Sequence, residues 1–287
     1  MYTTLIGASD LHRLLTQPAQ DGVVVLDCGF DLANPQAGRQ QHESGHLPGA
    51  AYVHLDETLS GAKTGSNGRH PLPERAAFAR AMAALGVGPR TQVVAYDNAG
   101  GMFAARLWWL LRWIGHEAVA VLDGGQAAWQ AQGYPLTSEP AARRPPAELP
   151  VRDSLQPTLD YAQLRQALTT CERVVLDARA PDRYRGENET LDAVGGHIPG
   201  ARNRFFRDNL GPDGRFLAPE QLRQAFTQQM NGRAPADVVN QCGSGVTACH
   251  NLLAMEVAGL KGAALYPGSW SEWSAQAGAP IATGPDA

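Results

Sequence analysis

The stretch Gly45–Ala50 reads GHLPGA, and the later stretch Gly196–Ala201 reads GHIPGA. Three further segments recur in the same order, and all four pairs have offsets of 144 to 151 residues. These segments are Val24–Cys28 with Val174–Ala178, Val93–Asp97 with Val238–Cys242, and Gly124-Gly125 with Gly268-Ser269. Because solenoid repeats have shorter periods of about 20–50 residues, the pattern predicts two copies of one domain.

The two copies account for the length of 287 residues, since single domains typically have about 100–150. A proline-rich stretch, Thr137–Pro157, lies between them and suits neither a helix nor a strand. We therefore predict a first domain at residues 1–138, a linker at 139–157 and a second domain at 158–287.

Each copy alternates short apolar runs with amphipathic segments. Ser9 is expected to cap a helix, and Pro73-Glu74 and Pro219-Glu220 are typical of first helical turns. The predicted strands of the first copy are Val23–Cys28, Gln92–Tyr96 and Val119–Leu122. Such alternation predicts an α/β fold with two tandem domains, each a mainly parallel sheet flanked by helices. Ligands of these sheets bind beyond the carboxyl ends of the strands.

The composition argues against several partners. A net charge of -4 without a basic run argues against nucleic acid, and apolar runs such as Leu107–Leu111 are too short to cross a membrane. The chain begins without a secretory signal pattern, so we expect a cytoplasmic protein. The four cysteines form no Cys-x-x-Cys pair, which predicts reduced thiols rather than disulfides or zinc. No metal or cofactor is expected.

Cys242 follows a predicted strand, Asp237–Gln241, and its loop leads into a predicted helix, Ala248–Gly259. The thiolate is the nucleophilic form of cysteine, and a helix N-terminus stabilises a negative charge. Two glycines let backbone N–H groups converge on one point, where a thiolate or persulfide could lie. A buried cysteine on a tight turn is the alternative interpretation. The repeat favours the reactive one, because Asp97 takes the equivalent place in the first copy.

A cysteine phosphatase is the competing enzyme class for such a loop. Its loop requires an arginine six residues after the cysteine, to bind phosphate oxygens in pairs. This chain has Ala248 at that position, followed by Cys249, which argues against a phosphatase.

These segments together resemble the tandem rhodanese family. The loop Cys242–Ala248 is similar to that of 3-mercaptopyruvate sulfurtransferases, and Tyr266–Trp273 resembles the family's carboxy-terminal signature. The resemblance implies an inactive first domain and a catalytic second domain. It implies a small anionic sulfur donor, a persulfide on Cys242, and a thiol, cyanide or thioredoxin-like acceptor.

The resemblance also implies roles for single residues. The catalytic set is Cys242, Ser244, His70 and Asp56, of which the last three would relay protons. The alternative interpretation of His70 is an ordinary loop histidine. The substrate-binding set consists of Arg183, Arg185, Gly243, Gly245, Val246 and Thr247. A guanidinium such as that of Arg183 suits a carboxylate through paired hydrogen bonds.

The chain departs from mercaptopyruvate enzymes at Asn188–Leu191, where they carry a Pro-Glu-Pro-Arg element with a second binding arginine. Thiosulfate-preferring members often carry basic residues directly after the cysteine, where this chain has Gly243 and Ser244. Because the loop touches the reacting sulfur, we predict 3-mercaptopyruvate as donor. Thiosulfate is the alternative donor, and a non-catalytic rhodanese-like binding module is a third hypothesis.

Overall fold

A computed structural model describes residues 1–17, 22–142 and 144–285, which form two compact units. The first unit comprises Met1–Gly61, Pro73–Leu155 and Pro212–Arg215. The second unit comprises Ala62–Leu72, Gln156–Gly211 and Phe216–Ala287. Within these residues, no helix combines the length and hydropathy that crossing a membrane would require.

The first unit contains a five-stranded, all-parallel sheet with the order β1-β5-β4-β2-β3. Its strands are β1 (Leu5–Ile6), β2 (Val23–Asp27), β3 (Ala51–Tyr52), β4 (Gln92–Tyr96) and β5 (Val119–Leu122). Its helices are α1 (Ala8–Thr16), α2 (Ala37–Ser44), α3 (Arg75–Ala84), α4 (Ala104–Trp113) and α5 (Gly125–Ala131). Every residue of β2 and β4 is buried, as expected for parallel strands covered on both faces.

The second unit contains a four-stranded parallel sheet with the order β7-β6-β8-β9. Its strands are β6 (Val174–Asp177), β7 (Arg202–Asn203), β8 (Val238–Gln241) and β9 (Ala264–Leu265). Its helices are α6 (Tyr161–Thr169), α7 (Pro181–Arg185), α8 (Pro219–Met230), α9 (Thr247–Val257) and α10 (Ser269–Trp273). A single parallel bridge, Thr158 to Leu265, takes the place that β1 has beside β5 in the first unit.

The predicted α/β class, with parallel sheets flanked by helices, is confirmed. Two details of the prediction are wrong. Helix α1 begins at Ala8 and Gly7 is its cap residue, so Ser9 lies inside the first turn. Helix α3 begins at Arg75, so Pro73-Glu74 precedes its first turn, and Glu74 is the cap residue, whose carboxylate accepts hydrogen bonds from the N–H groups of Ala76 and Ala77.

The register of the second sheet determines which loops share an edge. Strands β6 and β8 run side by side with Asp177 opposite Gln241, and Ala178 N–H donates to Gln241 O at 2.9 Å. The segments that follow these strands therefore leave the sheet together at its carboxyl edge. One of them leads into α7, and the other begins with Cys242.

Candidate active site

Cys242 lies at the start of the loop between β8 and α9, and only 2% of the residue is exposed. The Gly245 N–H donates to its Sγ at 3.2 Å. Its own N–H donates to Ser269 Oγ at 3.1 Å, and its carbonyl accepts from Trp270 N–H at 2.9 Å. The thiol thus has a backbone donor and precedes the N-terminus of α9, two features that stabilise an anionic sulfur.

The shape of the loop depends on Gly245. Its φ is +76°, and a Cβ at this position would lie 2.4 Å from the Pro267 carbonyl oxygen. A side chain would therefore clash with the backbone and would also strain the residue. Glycine at this position thus lets the loop curl as predicted, so that the Gly245 N–H points back to the sulfur.

Ser244 and His70 form a hydrogen bond, with 2.7 Å between Ser244 Oγ and His70 Nδ1. Both side chains are buried, and both residues belong to the second unit, since Ala62–Leu72 is part of it. The separation is within the range for proton transfer, and the tautomer of the ring determines which atom donates.

Arg183, on α7, lies beside the same loop. Its guanidinium nitrogens Nη2 and Nη1 are 3.5 and 3.6 Å from the position that a Cβ on Gly243 would occupy. Nε and Nη2 donate to the Glu189 carboxylate, with the shortest contacts at 2.8 Å. Burial alone would raise the pKa of Glu189, but hydrogen bonds from Arg183 and the backbone outweigh it and lower that pKa. Glu189 therefore holds Arg183 as an ionised partner.

Arg179 is a buried arginine that the sequence analysis did not select. Its guanidinium donates to Asp177, with the shortest contact at 2.6 Å, and to Gly196 O at 2.7 Å. It also stacks over the Trp270 ring, 4.7 Å from the centroid. Burial lowers its pKa, but the charges of Asp177, Glu189 and Cys242 outweigh that effect, so the net shift is upward. Arg179 is thus a permanent positive charge, and it would attract an anionic Cys242 sulfur.

Two of the predicted site residues have contacts away from this loop. Arg185 donates from Nε and Nη2 to the Glu187 carboxylate, at 2.8 and 2.7 Å. Asp56 lies in the first unit, where its backbone N–H donates to His54 Nδ1 at 3.1 Å. Val246 is the cap residue of α9, and Thr247 is its first residue. The substrate-binding and catalytic roles of these residues stay predictions.

The first unit has a carboxylate where the second has the thiol. Asp97 follows β4 and accepts four backbone hydrogen bonds at 2.7–2.8 Å. The donors are the N–H groups of Ala99, Gly101, Phe103 and Ala104. Burial raises the pKa of the carboxyl, and these donors oppose the shift. The equivalent loop of this fold thus binds an anion through its amides.

Comparison with known proteins identifies the duplicated domain. A family model described as "Rhodanese-like domain" matches residues 8–132 and again residues 160–276. The chain belongs to the rhodanese family. The resemblance stated from the sequence is therefore confirmed, as is the presence of two copies.

Relatives of this rhodanese-family chain carry two kinds of name. A probable 3-mercaptopyruvate sulfurtransferase of Pseudomonas aeruginosa is 45% identical over 282 residues, which is 98% of each chain. A thiosulfate sulfurtransferase of Cricetulus griseus is 37% identical, covering 89% of this chain and 86% of that one. The solved 3-mercaptopyruvate sulfurtransferase of Leishmania major has a TM-score of 0.83 and 30% identity, covering 95% of this chain and 74% of that one.

This rhodanese-family chain is a sulfurtransferase, as predicted, and so an enzyme that transfers sulfur from a donor to an acceptor such as a thiol or cyanide. In the described part of the chain, no group of three or more His, Cys, Asp or Glu side chains could hold a metal ion.

The structure brings together four of the residues named from the sequence, Cys242, Ser244, His70 and Arg183, and adds others around them. The additional ones are Arg69, Arg179, Glu189, Asp192 and Ser269. Arg69 had a detectable signal, since it directly precedes His70, and Ser269 belongs to the repeated glycine element.

Proposed function

We propose that this sulfurtransferase takes its sulfur from 3-mercaptopyruvate and carries it as a persulfide on Cys242. One observation supports the proposal most directly. A nucleophile, a hydroxyl–imidazole pair and a guanidinium all meet at the loop that follows β8. Each of the three has a separate task in the removal of sulfur from an α-keto thiol.

The first step is attack by the Cys242 thiolate on the sulfur of the donor. A new S–S bond forms, and the bond between sulfur and the methylene carbon breaks. The electron pair of that bond stays on carbon, so pyruvate leaves as its enolate while Cys242 becomes a persulfide. Arg183 would hold the carboxylate of the donor through Nη1, because its Nε and Nη2 bind Glu189 and a charged N–H donates strongly to a carboxylate.

The enolate that leaves the sulfur must then take up a proton on its methylene carbon to become pyruvate. Ser244 and His70 support this step, since their hydrogen bond of 2.7 Å links a hydroxyl at the loop to a titratable ring. In our proposal the hydroxyl protonates the enolate and His70 replaces its proton. The part of Asp56 in this relay stays a prediction from the sequence.

In the second half of the reaction, an acceptor thiolate or cyanide attacks the outer sulfur of the persulfide. The S–S bond breaks, the sulfur leaves on the acceptor, and the Cys242 thiolate is regenerated. Thioredoxin-like proteins, which present an exposed reactive thiolate, are the finer proposal for the acceptor. A reducing compartment keeps such thiols available, so we propose the cytoplasm as the location.

Thiosulfate is the second candidate donor, because relatives at 36–37% identity are named thiosulfate sulfurtransferases. The loop itself favours 3-mercaptopyruvate. Gly243 and Ser244 follow the cysteine and carry no charge, whereas a dianion would gain from positive groups close to the sulfur.

The test is to incubate the protein with each donor and to weigh the intact chain by mass spectrometry. We expect one added sulfur atom per chain, and none in Cys242→Ser. Cys171→Ser is the matched control, because Cys171 is the exposed cysteine and should not affect the result. A Cys242→Ser protein that still gains sulfur and transfers it would refute the assignment. A higher kcat/KM for thiosulfate than for 3-mercaptopyruvate would reverse the choice of donor.

A further inference from the structure

We infer that Arg69 is a second donor-binding residue, which holds the carboxylate of the sulfur donor together with Arg183. The inference rests on the proposed function, and Arg69 would supply the second binding arginine that is absent at Asn188–Leu191. Arg69 lies in the Ala62–Leu72 segment of the second unit, next to His70.

The position of Arg69 is defined by Gly243, the residue directly after the nucleophile. Arg69 Nη2 is 2.8 Å from the point that a Cβ on Gly243 would occupy, and Arg183 Nη2 lies 3.5 Å from the same point. Two guanidiniums therefore approach one side of the loop, and Arg69 comes so close that a side chain at position 243 would collide with it. The position next to Cys242 is where the non-reacting part of a small donor must lie.

Both guanidiniums have N–H groups that no acceptor among the described residues binds. Arg69 uses Nη1 for Asp192 and for Leu191 O, whereas its Nε and Nη2 donate to no acceptor among the described residues. Arg183 uses Nε and Nη2 for Glu189, and its Nη1 likewise donates to none. The side chains are 27% and 21% exposed, so solvent or a ligand can reach them. The Nε–Nη2 edge of Arg69 can therefore donate two parallel hydrogen bonds to a carboxylate.

Acidic residues hold the two arginines in place. Asp192, 7% exposed, forms an ion pair with Arg69 through Oδ1, and its Oδ2 is 3.7 Å from Arg183 Nη2. Glu189 binds Arg183 from the other side. Because these contacts already fix both guanidiniums, binding of a donor requires little further ordering of the two side chains.

The balance of charge indicates which anion suits this pair. Arg69 and Arg183 are matched by Glu189 and Asp192, and Arg179 is matched by Asp177, so the charges of these side chains nearly cancel. Recognition then depends on the geometry of the free N–H groups more than on net charge. A carboxylate monoanion brings one uncompensated charge into this arrangement and a compact dianion brings two, so the monoanion costs less to bind.

The experiment compares the wild-type enzyme with Arg69→Gln, Arg69→Lys and the control Arg165→Gln, which alters an exposed arginine on α6. The rate of sulfur addition to Cys242 is measured with 3-mercaptopyruvate, with thiosulfate, and with 1-mercaptopropan-2-one, which lacks the carboxylate. Inhibition by pyruvate is measured in parallel as a readout of carboxylate binding.

We expect Arg69→Gln to lower kcat/KM for 3-mercaptopyruvate about 10- to 100-fold, the effect of losing a charged hydrogen-bond pair. Arg69→Lys should fall in between, because it keeps the charge without the paired geometry. The rate with 1-mercaptopropan-2-one should be unchanged, and the inhibition constant of pyruvate should rise by the same factor as the rate falls. Arg165→Gln should match the wild type throughout.

A wild-type rate for Arg69→Gln with 3-mercaptopyruvate would overturn the inference. An equal loss with both keto donors would also overturn it, because Arg69 would then be structural; the pyruvate constant decides if the carboxyl-free donor reacts too slowly. A wild-type enzyme that takes sulfur only from thiosulfate would instead refute the proposed donor. In that case Arg69→Gln must slow the thiosulfate reaction, or the inference fails as well.

Discussion

Ser269 has a left-handed backbone, with φ at +54°, which is unusual for a residue other than glycine. Its buried Oγ accepts the Cys242 N–H and donates to Tyr266 O at 2.9 Å. The first copy has Gly125 at this place, with φ at +56°, where a Cβ would lie 2.2 Å from Asp97 O. The second copy thus accepts a strained residue, and its hydroxyl supports the backbone of the nucleophile.

This strain leads to a prediction about two substitutions. Both Ser269→Ala and Ser269→Gly remove the hydroxyl and leave the buried Cys242 N–H unpaired. Only Ser269→Gly also relieves the strain of the left-handed backbone. We expect the alanine variant to be less stable than the glycine variant by about 1 kcal/mol, against the usual preference for alanine in helices. Urea unfolding of both variants measures the difference, and a more stable alanine variant would contradict it.

Among the elements, helix α4 owes its start to Asp97. The carboxylate accepts the N–H groups of Phe103 and Ala104 at 2.8 Å, at the point where the helix begins. The first N–H groups of a helix have no carbonyl partner within it, and the Asp97 side chain accepts two of them here. In the loop that precedes α9, the Cys242 sulfur takes the place of the carboxylate and accepts the Gly245 N–H.

The corresponding prediction concerns Asp97→Asn. The amide has one acceptor oxygen in place of two, so at least one pair of buried N–H groups would face an NH₂ donor. We expect a loss of about 2–4 kcal/mol in the free energy of unfolding, measured by urea with circular dichroism. Glu43→Gln, an exposed substitution on α2, should change it little. Wild-type stability in Asp97→Asn would show that the four hydrogen bonds contribute little.

For the whole molecule, the two copies of the domain differ in one loop, which carries a thiol in the second copy and a carboxylate in the first. Both copies keep the parallel sheet and a loop that leads from strand β4 or its counterpart β8 into a helix, over residues 97–103 in the first copy and 242–246 in the second. Cys28, in the first copy, stands where the second copy has Ala178. Burial first, then the charges of Asp97 and Asp27, raise the pKa of this thiol well above its ordinary value of 9.0.

This shift predicts how the stability of the chain depends on alkaline pH. Above pH 9 the thiol would ionise in the unfolded chain while it stays protonated in the folded one, so stability falls as the pH rises. We expect the wild type to lose up to about 1.4 kcal/mol more per pH unit than Cys28→Ala, a change to the residue of the second copy. Urea unfolding at pH 7 to 10 tests this, with Cys171→Ala as the exposed control. Parallel pH profiles for wild type and Cys28→Ala would contradict it.

The sequence by itself determined the duplication, the parallel sheets and the loop that carries Cys242. These features follow from local order, because a buried apolar run, a following glycine turn and a helix are adjacent in the chain. Even the difference between the copies was visible, since Asp97 and Cys242 occupy equivalent places. The prediction that Ser9 caps α1 also concerned a local feature, and it was wrong because Gly7 takes the cap position two residues earlier.

Only the tertiary structure decided which side chains surround the loop. His70 and Ser244 are 174 residues apart, and the partnership of Arg69 with Asp192 spans 123 residues. Arg179 lies four residues before Arg183 in the sequence, but its burial against Asp177 and Trp270 depends on how α7 and α10 pack. A repeat pattern specifies elements and their order. The direction of a side chain and its partner depend on packing between distant segments, which no local pattern encodes.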